Sequence, residues 1–550
     1  MRFQLDHDWQ GNMSTPRARV GENVKTQLLL LLCAIWITLG LIGHAPWKPI
    51  ESTSILVVKN ILANGSLIMP LADQNIILET PPLYYLSAAL SAKFLSPFLS
   101  LHDGARFINV IWMAIVLLMV GMTGRELWVR GVGRHATLIM IGTIGLVTIA
   151  HSISTEVAGL ASSATGFYAL ALSKRRPWRA SVLLGLALGI GFLTDGIMPL
   201  MIVLTTSLVL PIVFKAWRTQ SFATVLVTAT LIASPLIGAW LITLHYQAPV
   251  TLFNWWQINL ASLKQLNHLY FVRILIWYAW PALPLALWGL WRYRQHLLNK
   301  PKFQLILTFF GVTLFFLSLA AARKDINALP LLLPIVALGA GSVEYLKRGA
   351  AAALNWFGVI LFGLIGFLIW LGWFAMMTGY PAKIKERVQF LSGATELHLN
   401  WLALIIAIFI TVMWIFVCLR AKQTNKSAVT NWAVGMTFGW GLLMTLWLPL
   451  IDSAKSYQTV FTSLNSTIPR PYNCISSLNV GQAQHLLFDY YTNIKLKPFE
   501  STQQLNCDLY LIQDEKGSGK MQPGSEWALI WSGKRTADRK ESFRLFQRIK

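Results

Sequence analysis

The sequence predicts a polytopic α-helical membrane protein with a small α/β domain at its C-terminal end. The chain of 550 residues is 55% hydrophobic and 13% charged, whereas a soluble protein of this length would carry about 25% charged residues. Many stretches of about 20 residues lack charge altogether, which is the length that a helix needs to cross a bilayer. From residue 451 onward the apolar runs shorten, and turn-forming groups separate them.

Thirteen apolar stretches are predicted to span the membrane. They lie at roughly 27–45, 105–123, 136–152, 156–173, 181–194, 197–214, 222–245, 273–291, 303–321, 328–345, 352–378, 401–419 and 430–450. With the N-terminus in the cytoplasm, every cluster of Lys and Arg falls in a cytoplasmic loop, as the positive-inside rule expects. We therefore expect a transmembrane domain at residues 1–450, with a first outer loop at 46–104, and an outer α/β domain at 451–550.

The basic composition does not indicate a nucleic-acid partner. The net charge is +23, but the cations lie in short clusters between apolar spans, so membrane lipid is the expected partner. The sequence contains no Walker loop, dinucleotide glycine motif, HExxH or CxxC pair, so ATP hydrolysis, hydride transfer and a thiolate zinc site have no support. We expect no nucleotide cofactor.

The first outer loop contains an unusual stretch, PIESTSILVVKNILANGSLIMPLADQNIILETPPLYY, at residues 49–85. Apolar residues near helical spacing predict a helix on the membrane surface in its first part, and Gly65 is suited to end that helix. A second helix is predicted to begin after Pro82. Two carboxylates, Glu51 and Glu79, lie just before these two helices and so are candidate site residues.

Other charged residues lie close to the predicted membrane. Glu156 opens a span, where it either complements the helix dipole or faces the same outer cavity as the loop carboxylates. Asp195 lies between two short spans as either a turn residue or a site residue. Arg323 and Lys324 occupy a short outer turn, where they either reach toward lipid headgroups or bind a phosphate.

The C-terminal segment contains four apolar runs of strand length, HLLFDYY, DLYLIQ, WALIWSG and FRLFQRI. Cys474 and Cys507 both lie in this segment, where they form either a disulfide or two unpaired buried thiols. Cys33 and Cys418 lie in spans and are expected to be packing residues.

Carboxylates that can accept a proton, beside cations that can hold a phosphate, suit one class of reaction at a membrane surface. A lipid-linked phosphosugar would place its phosphate at the cations and its anomeric carbon near the carboxylates. An acceptor could then displace the lipid phosphate without a nucleotide.

Motifs along the whole chain resemble those of the GT-C integral-membrane glycosyltransferases, in the superfamily of aminoarabinose (lipid A) transferases and protein O-mannosyltransferases. The matching segments, in order, are PIESTSILVVKNILANGSLIMP, ETPPLYYL, DGARFINVIW, TEVAGLASSATGFYAL, GFLTDGIMPLMI and ARKDINALPLLLP. Thirteen spans followed by a periplasmic domain are also the architecture of the aminoarabinose transferases. The resemblance implies a location in the bacterial inner membrane.

The resemblance also implies roles for individual residues. Glu51 would be the leading catalytic base and Glu156 would support it, while Glu79 would position the acceptor or hold a divalent metal ion. Substrate-binding roles are implied for Glu79, Tyr84, Tyr85, Arg106, Arg323 and Lys324. The sequence departs from the family pattern at Ile50, where an acid is usual, and at Thr80 and Asp195, where lysines are usual.

The implied function is transfer of a sugar from a polyprenyl-phosphate donor to a periplasm-facing acceptor, which is lipid A, another lipid or glycan, or a protein. The absence of the first acid favours an acceptor that is already an anion, such as a lipid A phosphate, because a hydroxyl acceptor needs a base. Two alternatives remain open: a relative that binds the lipid carrier without turnover, and a transporter of lipid-linked sugar. A transporter predicts polar residues along a midplane path, to which Asp195 comes nearest.

Overall fold

The computed structural model describes residues 21–65, 80–129, 131–261, 269–320, 324–420, 424–498, 507–515, 524–538 and 541–549. Two candidate site residues, Glu79 and Arg323, lie outside this described part of the chain.

The N-terminal part contains one long helix followed by the helices of the first loop. These are α1 (Glu22–Thr38), α2 (Ile50–Asn64), α3 (Leu83–Leu95) and α4 (Leu101–Arg106). The predicted end of α2 is confirmed, because Gly65 follows it with a left-handed φ of 66°. The second predicted loop helix is also confirmed, since α3 begins directly after Pro82.

Sixteen further helices form the helical bundle within the described residues. They are α5 (Asn109–Leu127), α6 (Val132–Ile141), α7 (Ile144–Ala150), α8 (Thr155–Leu172), α9 (Pro177–Asp195), α10 (Ile197–Val213), α11 (Gln220–Gln247), α12 (Pro249–Ala261), α13 (Tyr270–Tyr278), α14 (Ala282–Tyr293), α15 (Pro301–Leu319), α16 (Leu329–Ser342), α17 (Arg348–Thr378), α18 (Ala382–Ser392), α19 (Trp401–Arg420) and α20 (Asn425–Leu446). Short 3₁₀ turns lie at Lys215–Trp217, Asp325–Ala328 and Val343–Tyr345.

The helices agree with a polytopic membrane protein. Across the described ranges, seven helices are long and apolar enough to cross a membrane, or up to nine if each of two bent pairs forms one span. Each of the thirteen predicted stretches is largely helical, although the count of thirteen spans stays a prediction. The pair α13 and α14 bends by 105° at Pro281, which lacks the N–H that a continuous helix would use.

The C-terminal segment forms three helices and a mixed sheet. The helices are α21 (Leu448–Lys455), α22 (Gln458–Thr467) and α23 (Gln482–Thr492), and the strands are β1 (Ile475–Leu478), β2 (Lys497–Pro498), β3 (Leu509–Glu515), β4 (Trp527–Gly533) and β5 (Glu541–Arg548). The strand order is β2-β1-β3-β5-β4. Strand β1 is parallel to β2 and β3, whereas β5 is antiparallel to β3 and β4.

The structure of this segment tests two predictions, the state of its two cysteines and the strand at HLLFDYY. Cys474 and Cys507 form a disulfide, so the paired alternative is confirmed. The strand prediction for HLLFDYY is wrong, because this run lies within α23. Helix α23 connects β1 to the parallel strand β2, and a parallel connection needs a crossover element, which is usually a helix.

Helix α2 packs between the bundle and the C-terminal segment. Its apolar side chains, including Leu56 and Val57, share a buried core with α3 and with Leu487 of α23. On its other face Lys59 Nζ donates to the carbonyl oxygens of Asp489 and Tyr490 at 2.7 and 3.0 Å, at the C-terminal end of α23. The predicted surface helix is therefore covered by protein on both faces.

Candidate active site

Four of the residues singled out in the sequence lie around one cavity. Thr80, Glu156, Asp195 and Lys324 all line it, and its volume is about 160 Å³. The cavity lies where α8 begins, where α9 ends and where Lys324 precedes the 3₁₀ turn before α16. Apolar side chains of α10, α15 and α16 form much of its remaining wall. Two carboxylates and one ammonium group therefore line one cavity.

Glu156 is the second residue of α8 and combines both roles that the sequence left open. Ser154 Oγ donates to Glu156 Oε2 at 2.5 Å, and Thr155 Oγ1 lies 3.4 Å from the same oxygen. A carboxylate in the first turn of a helix is stabilised by the helix dipole. Because the side chain also lines the cavity, its position at the helix start and its access to a ligand do not conflict.

Asp195 packs against α8, where Thr155 donates a hydrogen bond to it and Gly159 leaves room for its carboxylate. Thr155 Oγ1 donates to Asp195 Oδ1 at 3.0 Å. A Cβ atom added at Gly159 would lie 2.2 Å from Asp195 Oδ2, so only glycine leaves room for this carboxylate. The next residue, Gly196, has φ 77° and ψ −143°, a conformation that is essentially restricted to glycine.

Lys324 supplies the positive charge that the described residues bring to the cavity. Over the ranges that the structure covers, neither Lys324 nor the two cavity carboxylates form an ion pair with another side chain. The cavity therefore offers charges of both signs to a ligand. Arg323 precedes Lys324 in the chain but is outside the described residues, so its predicted contact with phosphate stays a prediction.

Tyr85 contacts the cavity indirectly. Its hydroxyl lies 3.3 Å from Thr80 Oγ1, and Thr80 lines the cavity. Burial raises the pKa of Tyr85 above its ordinary value. The hydroxyl therefore stays neutral at physiological pH and can fix the orientation of the threonine hydroxyl.

Glu51 lies outside the cavity lining, in a buried ion pair. Its Oε1 and Oε2 accept hydrogen bonds from Arg106 Nε at 2.9 Å and Nη2 at 3.2 Å, and both side chains are almost fully buried. The backbone N–H groups of Trp47 and Ile153 donate to the same carboxylate at 3.0 and 2.9 Å. Burial opposes ionisation of Glu51, but Arg106 outweighs it, so the pKa of the Glu51 carboxyl lies below its usual range.

Tyr84 is also buried and holds the segment that leads into α8. Ser154 N–H donates to the Tyr84 hydroxyl at 2.8 Å, and that hydroxyl donates to Asn109 Oδ1 at 3.0 Å. Asn109 Nδ2 donates in turn to the carbonyl oxygen of Ser152 at 2.6 Å. The backbone just before Glu156 is therefore fixed at consecutive residues by side chains from the first loop and α5.

The described residues do not by themselves make a metal site. Oxygen atoms of Glu156, Asp195 and Thr155 are ligands of the type that Mg²⁺ and Ca²⁺ prefer. However, no group of three or more His, Cys, Asp or Glu side chains that could hold a metal ion occurs in the described ranges. Glu79, the predicted metal ligand, lies outside them, so the metal stays a prediction.

Sequence reasoning missed the residues that support the site. Gly159 was not singled out, although it lies one turn after Glu156 on the same helix and faces Asp195. Asn109 and Ser154 were also missed. The run Ser154-Thr155-Glu156 before an apolar stretch is a helix-start pattern, and it could have indicated that these hydroxyls lie beside the carboxylate.

Comparison with solved structures identifies the fold. The structure superimposes on ArnT from Cupriavidus metallidurans bound to undecaprenyl phosphate with a TM-score of 0.67 at 10% sequence identity, covering 96% of this chain and 98% of that one. The apo state of the same protein gives a TM-score of 0.66 at 11% identity, covering 95% and 98%. The chain therefore has the fold of a GT-C integral-membrane glycosyltransferase, and the resemblance inferred from the motifs is confirmed.

Two sequence relatives of low identity carry the same name. No protein-family model matches the chain. It is 22% identical over 477 residues to the undecaprenyl phosphate-alpha-4-amino-4-deoxy-L-arabinose arabinosyl transferase of Serratia proteamaculans, covering 84% of this chain and 81% of the relative. It is 24% identical over 356 residues to the transferase of the same name from Pseudomonas paraeruginosa, where the match covers 61% of this chain and 63% of the relative.

Proposed function

We propose that this protein is an inner-membrane glycosyltransferase that moves a sugar from a polyprenyl-phosphate donor to an acceptor at the outer face of the membrane. The observation that carries the proposal is the cavity in which Glu156, Asp195 and Lys324 face one another on a GT-C fold. The printed names of the relatives, which are transferases of a sugar linked to undecaprenyl phosphate, support a donor of the same chemical class.

The reaction is a displacement at the anomeric carbon of the donor sugar. The bond from that carbon to the phosphate oxygen breaks, its electron pair stays on the phosphate, and a bond to the acceptor oxygen forms. Lys324 is placed to bind the phosphate as negative charge develops on it, and an ammonium group in an enclosed site stabilises such charge strongly. The predicted contact of Arg323 would add to this stabilisation.

Glu156 is the residue that we assign to the acceptor. If the acceptor is a hydroxyl group, the Glu156 carboxylate takes its proton as the new bond forms, and a positioned base of this kind contributes about 10²- to 10⁴-fold in rate. If the acceptor is a phosphate, such as that of lipid A, it is already an anion and no base is required.

We assign positioning roles to Glu51, Tyr84 and Arg106, in place of the direct contacts with substrate that the family resemblance implied. All three are buried and engaged with protein groups, and none lines the cavity. Through Ile153 and Ser154 they hold the backbone that precedes Glu156. We therefore place the leading base at Glu156 rather than at Glu51.

The charge of the cavity wall favours a donor sugar that carries an amino group. Glu156 and Asp195 both lie within reach of the single hydroxyl of Thr155, so two carboxylates share a small volume. A protonated amine on the sugar would donate charge-assisted hydrogen bonds to these carboxyl oxygens, whereas a neutral sugar would not. The amino sugar in the names of the relatives is consistent with this preference.

The proposal is tested with the full-length protein in proteoliposomes containing lipid A. Undecaprenyl-phosphate donors with an amino sugar and with a neutral sugar of the same size are compared, and mass spectrometry follows released undecaprenyl phosphate and modified lipid A. We expect faster release from the amino-sugar donor, and a loss of activity with Glu156→Gln when the acceptor is a hydroxyl. Glu386→Gln, an exposed carboxylate on α18, is the matched control and should be fully active.

The same assay separates the alternatives that the sequence left open. A carrier-binding relative would bind the donor lipid without releasing undecaprenyl phosphate from any donor. A transporter would move intact donor between leaflets, with no new glycosidic bond in any acceptor. Either result would refute the proposed transfer.

A further inference from the structure

A second cavity in the helical bundle shares no lining residue with the candidate site. It is a groove of about 1460 Å³ lined by α1, α6, α19 and α20. Helices α1 and α19 each pack against α20, and the groove lies along this arrangement. Its volume exceeds the range of about 300–1,000 Å³ that is usual for small-molecule pockets, so it suits a large ligand.

The walls of the groove are hydrocarbon along most of their length. Lining side chains from α1 include Leu28 and Leu32, and those from α19 include Phe409 and Trp414. Leu28 is 55% exposed and Phe409 57% exposed, so these surfaces have apolar area that the described protein leaves uncovered. A ligand with long apolar chains would match this surface, because acyl chains are as apolar as the side chains that they would contact.

One end of the groove is polar and positively charged. Its cations come from the ends of all four helices: Lys25, Arg134, Arg420 and Lys426. Glu22 lies at this end and pairs with Lys25 and Arg134 at 2.7 Å each, and Glu344 pairs with Lys426 at 2.7 Å. Four cations against two carboxylates leave an excess of positive charge. Arg420 contacts the Phe416 ring at 4.5 Å and has no carboxylate partner among the described residues.

A buried polar atom at the same end is also left unsatisfied. His135 lines the groove and is only 7% exposed, yet its Nδ1 has no hydrogen-bond partner in the part of the chain that the structure describes. Buried polar atoms in proteins are nearly always hydrogen-bonded. His135 therefore has hydrogen-bonding capacity beside the charged end of the groove that the described residues leave unused.

We propose that this groove binds an anionic phospholipid. The phosphate lies among Arg134, His135 and Arg420, and the two acyl chains lie along the apolar walls of α1 and α19. The four cations at the end of the groove, here called the rim cations, lie on the side of the membrane that the sequence predicts to be cytoplasmic. Anionic lipids are abundant there and attract basic residues, which supports this choice. The site is separate from the catalytic cavity and would act as a lipid anchor for the bundle.

The test uses the full-length protein, delipidated in detergent and titrated with phosphatidylglycerol while binding is followed by native mass spectrometry. Phosphatidylcholine with the same acyl chains is the zwitterionic comparison. We expect phosphatidylglycerol to bind at least about tenfold more tightly, because each basic residue near an anionic lipid contributes favourably. The double variant Arg134→Gln/Arg420→Gln should lose about tenfold in phosphatidylglycerol affinity with no change for phosphatidylcholine.

Two further variants make the result specific to the groove. Val434→Trp places a large side chain in the groove wall and should weaken binding of both lipids. Arg179→Gln removes an exposed cation that does not line the groove and should change nothing. Melting temperature and size-exclusion profile establish that each variant is folded, and Arg420→Gln alone, at an exposed position, replaces the double variant if that variant fails to fold.

Three results would overturn the proposal. One is equal affinity for the two phospholipids, which would mean that the rim does not recognise the phosphate charge. Another is unchanged phosphatidylglycerol binding after the rim cations are replaced. The third is displacement of phosphatidylglycerol by equimolar undecaprenyl phosphate in wild-type protein, together with loss of that undecaprenyl phosphate binding in Val434→Trp. That last outcome would assign the groove to the polyprenyl carrier instead.

Discussion

Replacing either partner of the buried Glu51–Arg106 pair distinguishes a positioning role from a catalytic role for Glu51. Glu51→Gln removes the charge of the carboxylate but leaves Arg106 paired with Asp103, whose Oδ1 is 2.9 Å from Arg106 Nη1. Arg106→Met leaves two buried carboxylates, Glu51 and Asp103, without their shared cation. The structure therefore predicts that the arginine variant is the less stable of the two.

The magnitudes follow from the contacts that are lost. Glu51→Gln weakens charge-assisted hydrogen bonds to Arg106, so we expect a loss of about 2–3 kcal/mol in the free energy of unfolding. Arg106→Met leaves uncompensated buried charge, for which a loss of about 3–5 kcal/mol is usual. The double variant Glu51→Gln/Arg106→Met should cost less than the sum of the two single changes, because fewer buried charges remain unpaired.

Acid dependence provides a second measurement on the same residue. Because Arg106 holds the pKa of Glu51 below its usual value of 4.5, the ionised carboxylate stabilises the folded state above pH 4.5. This stability is lost as the pH falls through the lower pKa of the folded state. The melting temperature of wild-type protein should therefore fall more steeply below pH 4.5 than that of Glu51→Gln.

The assay combines thermal unfolding in detergent with the pH profile of sugar transfer. If Glu51 positions Glu156 through Ile153, both single variants lower kcat while the acid limb of the pH–rate profile keeps its midpoint. The reasoning is refuted if Glu51→Gln is as stable as wild type and abolishes transfer with loss of the acid limb. That combination would make Glu51 the base.

The remaining predictions concern the cavity and the C-terminal sheet. Gly159→Ala would place a methyl group against the Asp195 carboxylate at the end of α9, so kcat/KM should fall at least about tenfold. Gly311→Ala is the control, because an added Cβ there meets nothing within 4 Å, and it should leave kcat/KM unchanged in the same assay. Lys324→Gln should lower kcat/KM for the polyprenyl donor by about 10- to 100-fold through loss of a charged contact with phosphate; wild-type kinetics would contradict this role. Replacing Cys474 and Cys507 by serine opens a loop with a sequence separation of 33, which should cost about 4 kcal/mol. An unchanged melting temperature for this cysteine variant would contradict the predicted stabilisation by the disulfide.

The parts of the fold that local patterns control could be predicted from sequence. Uninterrupted apolar stretches predicted the helices of the bundle, and Gly65 marked the end of α2, because a left-handed residue at a helix end is a local requirement. The HLLFDYY run was misassigned because a short apolar run does not reveal its periodicity. Its crossover role depends on the pairing of β1 with β2, which is a tertiary feature.

The candidate site could be located from sequence more easily than its internal roles. Their charge close to the predicted membrane brought Glu156, Asp195 and Lys324 into consideration, and the structure places them around one cavity. Glu51 and Glu156 both open a helix close to the predicted membrane, so their positions in the sequence did not separate their roles, and only the family resemblance put Glu51 first. The structure distinguishes the two carboxylates, because the Arg106 guanidinium pairs with Glu51. Arg106 comes 55 positions after Glu51 in the chain, so this contact depends on tertiary packing.

The contact of Lys59 with α23 has a consequence for how the protein is made. The lysine and its partner Asp489 are separated by 430 positions, which a ribosome needs about 20 to 90 s to translate. During this interval α2 exists without the helix that covers it, and the backbone before Glu156 lacks part of its final support. Catalytic competence should therefore appear only after α23 (Gln482–Thr492) has emerged, so a nascent protein arrested before α23 would be inserted in the membrane but inactive.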